Sequence, residues 1–115
     1  MADDNKGYVN SMKNMLNIFG YEVDAVNNAD KEIALAKKEK YDLILTDKDM
    51  EDNYKDRGGI HAIKEIRKFN KEPPILLNSS ALTKEVEQEL SSYNKVETCS
   101  KTDVVARIKK LLEKK

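Results

Sequence analysis

The chain has 115 residues, enough for one domain (1–115) and too few for two independent cores. Lysine plus arginine total 21 and aspartate plus glutamate total 21. This zero net charge argues against a dedicated nucleic-acid binder or a polybasic membrane surface. Apolar runs reach four or five residues at most, too short for a bilayer span or a signal peptide. The single Cys99 offers no internal disulfide, which fits a reducing cytoplasm.

Two hydrophobic periods alternate along the chain. Tyr8, Met12, Met15, Leu16 and Phe19 recur at helical spacing, and Gly20 stops that helix. Tyr21, Val23 and Val26 predict a short strand. Residues 29–39 are rich in helix formers, with Ile33 and Ala36 as a thin inward stripe. Tyr41–Asp47 has a continuous apolar middle, the pattern of a strand buried on both faces of a parallel sheet.

Residues 48–58 are charged and predict a loop; Ile60, Ile63 and Ile66 then mark a helix up to Phe69. Pro73 and Pro74 open a buried strand, Ile75–Leu77. Thr83 is placed to cap a helix running to Tyr93. Val96–Cys99 reads as a strand. Ser100 or Thr102 caps a last helix with Val104, Val105, Ile108, Leu111 and Leu112 on one face. Strands alternating with helices predict parallel pairing and right-handed crossovers.

In such sheets, sites form at the carboxyl ends of the strands. The residues expected there are Asp3-Asp4-Asn5, Asp47, Asn78-Ser79-Ser80 and Ser100-Lys101. Clustered carboxylates repel, and a divalent cation removes that penalty. An oxygen-only donor set suits Mg²⁺. An aspartate beside that cation can act as a nucleophile toward a phosphoryl group, whose oxygens Ser80 and Lys101 can meet.

These motifs resemble the receiver domain of two-component response regulators. The resemblance rests on Ala2-Asp3-Asp4-Asn5, on Asp42–Asp47 followed by Met50, on Gly58-Gly59-Ile60 leading to Glu65-Ile66-Arg67, on Pro74–Ala81 and on Ser100-Lys101. Spacings of 43, 33 and 21 residues from Asp4 to Asp47 to Ser80 to Lys101 strengthen it. It implies a flavodoxin-like doubly wound parallel sheet in three α/β/α layers. It also implies a phosphoacceptor at Asp47, metal ligation by Asp3, Asp4, Asp47 and the carbonyl of Asp49, and phosphoryl contacts from Ser80 and Lys101. The partners implied are a sensor histidine kinase or phosphotransfer protein and a downstream effector or output domain. Neither nucleic acid nor membrane is an expected partner of this domain. The chain is expected to be no enzyme beyond Mg²⁺-dependent self-phosphorylation and self-dephosphorylation.

Glu51, Thr98 and Thr102 stand where the family pattern has a proline, an aromatic residue and a proline. The absent first strand of the family pattern, Thr98 and Thr102 motivate a second hypothesis, a non-phosphorylated receiver-like interaction module. A Mg²⁺-dependent phosphatase ranks last, because no second acid/base residue accompanies Asp47. The apolar first strand that the pattern places before the acidic pair is expected to be missing. It belongs between the strands near 21–26 and 41–47, so its loss is expected to leave two inner edges unpaired, compensated by rearrangement, dimeric exchange or marginal stability.

Overall fold

The computed structural model describes residues 1–3, 5–47, 58–78, 84–100 and 102–113. The elements are α1 (Lys6–Ile18), α2 (Ala29–Lys38), β1 (Ile44–Asp47), α3 (Gly58–Phe69), β2 (Ile75–Asn78), α4 (Lys84–Leu90), β3 (Val96–Cys99) and α5 (Val104–Glu113). Asparagines start the first two helices. The Asn5 side chain accepts from the Tyr8 N–H at 3.0 Å, and that of Asn28 from the Lys31 N–H at 2.9 Å. After α1 the chain turns through Gly20 at φ 91°, a conformation that glycine adopts without strain.

The three strands are parallel, in the order β1-β2-β3, with Ile44 opposite Ile75 and Ile75 opposite Val96. All of β1 and β2 is buried, which explains their unbroken apolar character. Strand alternation sends Leu45, Leu76 and Cys99 to one face, against Met12 and Leu16 of α1 and Val104 and Ile108 of α5. Ile44, Ile75 and Leu77 face the other way, toward Ala36 of α2, Ile63 and Ile66 of α3 and Leu90 of α4. The three layers expected from the sequence are present.

The expectation of a wholly missing first strand needs correction. Residues 1–3 lie between two extended segments and bond to both. The Ala2 N–H donates to the Leu45 carbonyl at 2.9 Å, and the Ala2 carbonyl accepts from Asp47 at 3.0 Å. On the other side the Val26 N–H donates to the Met1 carbonyl at 2.9 Å, and Asp3 donates to Val26 at 3.2 Å. The spatial order is therefore 21–26, 1–3, β1, β2, β3, which is the flavodoxin-like order. The carboxyl end of the central strand is in place at residues 1–3.

Several boundaries differ from the pattern. The strand expected from Tyr21 pairs only at Val26. The strand expected from Tyr41 begins at Ile44, α3 begins at Gly58 rather than near Ile60, and α4 stops at Leu90 instead of Tyr93. The capping reading of Thr83 and most of the loop 48–58 lie outside the described residues.

Two buried charges were not legible as such. Arg67 on α3 is 4% exposed, and its guanidinium donates to four carbonyls: Asn94 at 3.2 Å, Asn70 at 3.0 Å, Pro73 at 2.7 Å and Lys95 at 3.4 Å. It fastens the end of α3 to the entrances of β2 and β3. Arg67→Leu removes every one of these donors and is expected to destabilise the fold by about 2 to 4 kcal/mol in denaturant unfolding.

Glu32 on α2 is buried, and burial pushes its carboxyl up to about 7, against the opposing pull of the Met1 ammonium 4.0 Å away. An unfolded glutamate ionises near 4.5. Between these values the folded state binds more protons than the unfolded state, so stability falls as pH rises and the loss is complete above about 7. Glu32→Gln is expected to flatten this slope between pH 4.5 and 8. It should narrow a difference on the order of 3 kcal/mol, as read by urea unfolding at a series of pH values.

Candidate functional site

The strand register assembles one row of side chains across the carboxyl edge of the sheet. Asp47 pairs with Asn78, and Asn78 with Cys99. The bridge of Ala2 to Thr46 sets Asp3 in line with Asp47 on the neighbouring strand. Adjacent strands lie about 4.8 Å apart, so the two carboxyls are neighbours. They share the face of Leu45 and Leu76, the side covered by α1 and α5. From residues 1–3 the chain crosses to one side, to 21–26, and then returns to the other side as β1. The crevice between Asp3 and Asp47 is therefore the topological switch point, where doubly wound sheets bind ligands.

Asp3 is 2% exposed and Asp47 is 4% exposed. The Asn5 N–H donates to Asp3 Oδ1 at 2.9 Å, bending the chain out of the sheet and into α1. Two carboxyl groups are thus set side by side and out of water. Asn78, 1% exposed, has a buried Oδ1 with no hydrogen-bond partner among the described residues. Two carboxylates near an unsatisfied amide oxygen form an oxygen-only donor set, which fits a hard divalent cation such as Mg²⁺. Among the described residues no group of three His, Cys, Asp or Glu side chains is close enough to hold a metal alone.

Of the six site residues expected from the sequence, the structure brings Asp3 and Asp47 together. Asp4, Asp49, Ser80 and Lys101 lie outside the described residues.

Three residues of the site were missed or left without a role. Tyr8, assigned to the apolar face of the first helix, accepts a hydrogen bond from Asn78 Nδ2 at 2.7 Å. Burial raises its phenol, the Asn78 bond opposes that, and the charges of Asp3, Cys99 and Asp47 add to the rise. Its hydroxyl thus sits in the field of the acidic row; the available signal was its place in the first turn of the helix after Asp3-Asp4. Asn78 was seen as a strand-end residue, but its central place in the row comes from register. Gly59 has a packing reason. A Cβ there would meet the Asp47 carbonyl oxygen at 2.3 Å and Leu77 Cδ1 at 2.8 Å. The start of α3 therefore lies directly against the backbone that carries Asp47.

Cys99 is buried, and burial pushes its thiol up to about 11, so it is a packing group at neutral pH. Beyond it, Ser100 Oγ lies 2.9 Å from Thr102 Oγ1 and donates to Asp103 Oδ2 at 3.1 Å, so both expected caps take part in the turn into α5. Gly59→Ala is expected to cost about 1 to 3 kcal/mol and to displace the Asp47 backbone. Unfolding in urea and a change in the Asp47 amide resonance check the two effects.

Comparison with known proteins places this geometry. Residues 1–113 match the response regulator receiver domain. No curated protein matched the chain. Among solved structures, the receiver domain of the Francisella response regulator 1452 is 23% identical, with a TM-score of 0.79, covering 98% of this chain and 93% of that one. A CheY-like receiver domain protein from Methanospirillum hungatei JF-1 is 22% identical, with a TM-score of 0.83, covering 97% and 90%. A response regulator protein from Burkholderia pseudomallei, solved with a phosphorylated aspartic acid, a calcium ion and citrate, is 20% identical. Its TM-score is 0.82, with coverage of 96% and 63%.

Proposed function

Because the chain belongs to the response regulator receiver domain family, we propose that it is a signalling switch phosphorylated on Asp47. The observation that carries this reading is the pairing of Asp3 with Asp47 in one buried row at the topological switch point. A phosphorylated aspartate in the Burkholderia protein of the same fold supports it.

The donor is a phosphohistidine on a sensor kinase or phosphotransfer protein. An oxygen of Asp47 attacks phosphorus, the P–N bond breaks, and its electron pair returns to the imidazole ring. Asp3 and Asp47 would hold Mg²⁺, with Asp4 and the carbonyl of Asp49 as the further ligands inferred from sequence; when bound, the ion supplies positive charge to the phosphoryl oxygens. Ser80 and Lys101 would bond those oxygens. This is self-modification of one side chain, and the chain turns over no separate substrate.

The modification adds charge and acceptor oxygens to a row that already holds two carboxylates. Asn78 and Tyr8 are next to that charge through their 2.7 Å hydrogen bond. Their rearrangement would alter the surface of α1 and the carboxyl end of β2, and an effector protein or output domain would read the change. Among the described residues no helix is long and apolar enough to cross a membrane. Cytoplasmic action follows from the proposed kinase partner.

Beryllofluoride or acetyl phosphate with Mg²⁺ tests the reading. Amide resonances of Asp47, Asn78 and Tyr8 are expected to shift in the native chain and to stay unmoved in Asp47→Ala. An unchanged spectrum in the native chain, with no response to Mg²⁺ alone, would assign it instead to the non-phosphorylated interaction modules.

A further inference from the structure

Asn78 holds unfinished hydrogen bonding beside the acidic pair. It ends β2, in register with Asp47 on one side and Cys99 on the other, and is 1% exposed. One arm of its amide is used: Nδ2 donates to the Tyr8 hydroxyl on α1 at 2.7 Å. The other arm, Oδ1, is buried and has no hydrogen-bond partner among the described residues. A buried acceptor in that condition is costly, and calls for a donor.

The amide has a second arrangement that supplies one. The last torsion of an asparagine is broad and nearly two-fold, and its oxygen and NH₂ group have almost the same size. A half-turn about that torsion exchanges the two arms and leaves the packing of the buried side chain as it was. A phenol hydroxyl both accepts and donates. Tyr8 therefore keeps its contact with Asn78 in either arrangement. In the observed one, Nδ2–H donates to the hydroxyl. In the reversed one, the hydroxyl donates to Oδ1, which gains the bond it lacks. Nδ2 then turns its N–H groups into the row that holds Asp47.

The group standing on Asp47 decides between the two. Asp47 and Asn78 are paired in register, so their side chains share a face, about 4.8 Å apart. A phosphoryl group lengthens the Asp47 side chain and spreads negative charge over its oxygens, all of them acceptors. An amide oxygen facing that charge is repelled, and an NH₂ group is drawn to it in a charge-assisted bond. We propose, resting on Asp47 as the phosphoacceptor, that phosphorylation reverses the Asn78 amide: Nδ2 binds a phosphoryl oxygen, and the Tyr8 hydroxyl turns from acceptor to donor. Asn78 thereby joins Ser80 and Lys101 as a phosphoryl-binding residue, and Tyr8 is the positioning residue behind it. Tyr8 lies in the first turn of α1, so the reversal links the tip of β2 to that helix.

The test loads the full chain with beryllofluoride and Mg²⁺ and reads loading from the fluorine resonances of the bound anion. In the loaded native chain, one fluorine is expected to couple through a hydrogen bond to an Asn78 Nδ2 proton, and the Tyr8 Cζ resonance is expected to move. Asn78→Leu is close in size, has no donor and removes the unpaired oxygen. It should bind beryllofluoride about tenfold more weakly, the loss of one hydrogen bond to a charged group, while its urea midpoint does not fall. A residue with only a structural role would give the opposite pair, a lower midpoint with the affinity kept. With loading observed, the absence of coupling to Asn78 overturns the proposal and leaves the Asp47 reading intact, and so does an Asn78→Leu chain that binds as tightly as the native one. Movement of the Asn78 side-chain and Tyr8 resonances with Mg²⁺ alone, to which beryllofluoride adds nothing, would make Oδ1 a metal ligand and overturn it as well. A native chain that takes up no beryllofluoride overturns the Asp47 reading itself, and the amide reversal with it.

Discussion

Four backbone hydrogen bonds made by Met1, Ala2 and Asp3 hold the two halves of this sheet together. Two go to Val26 and two to the Leu45 and Asp47 backbone. Without them the segment 21–26 would have no strand to lie against, and β1 would present a bare edge to the interior. An amide buried with no partner costs about 1 to 3 kcal/mol, so the bonds stand against a substantial desolvation penalty. They also carry the chemistry. The same bridge at Ala2 that closes the sheet sets Asp3 beside Asp47. Stability of the fold and geometry of the site therefore rest on one short run of backbone.

Crowding at β1 acts from the opposite side. The start of α3 lies so close to the Asp47 carbonyl that only a hydrogen fits at Gly59. Asp47 is held by the residue 1–3 strand on one edge, β2 on the other, and α3 against its backbone. The backbone of Asp47 is thereby fixed relative to that of Asp3.

Much of this was legible in the sequence because periodicity reports burial. The unbroken apolar runs before Asp47 and Asn78 announced central parallel strands, and the place of these polar residues at the strand ends followed from chain direction. Alternation of strand and helix gave the layers. What escaped depended on register and distance. Nothing in the local pattern says that Tyr8 reaches Asn78, seventy residues on, because helical spacing marks it only as inward-facing. Glu32 lies in a run of helix formers and looks solvated; its burial comes from the way α2 rests over the N-terminal residues. Three residues are too few for a hydrophobic period, so the stub of central strand had no signature of its own. Its apolar content, Met1 and Ala2, could equally have been a frayed end.

The four carbonyls gathered by Arg67 have a mechanical meaning. They belong to the entrances of β2 and β3 and to the end of α3, while Asn78 and Cys99 stand at the far ends of the same strands. Each of these strands is thus a short beam built in at its root and loaded at its tip. Under such a load the tip deflects while the root stays still, and the stiffness is set by the clamp. A charge added at the acidic row would be felt most at the carboxyl edge and the helices over it, leaving the amino edge as a stationary frame against which that displacement is measured.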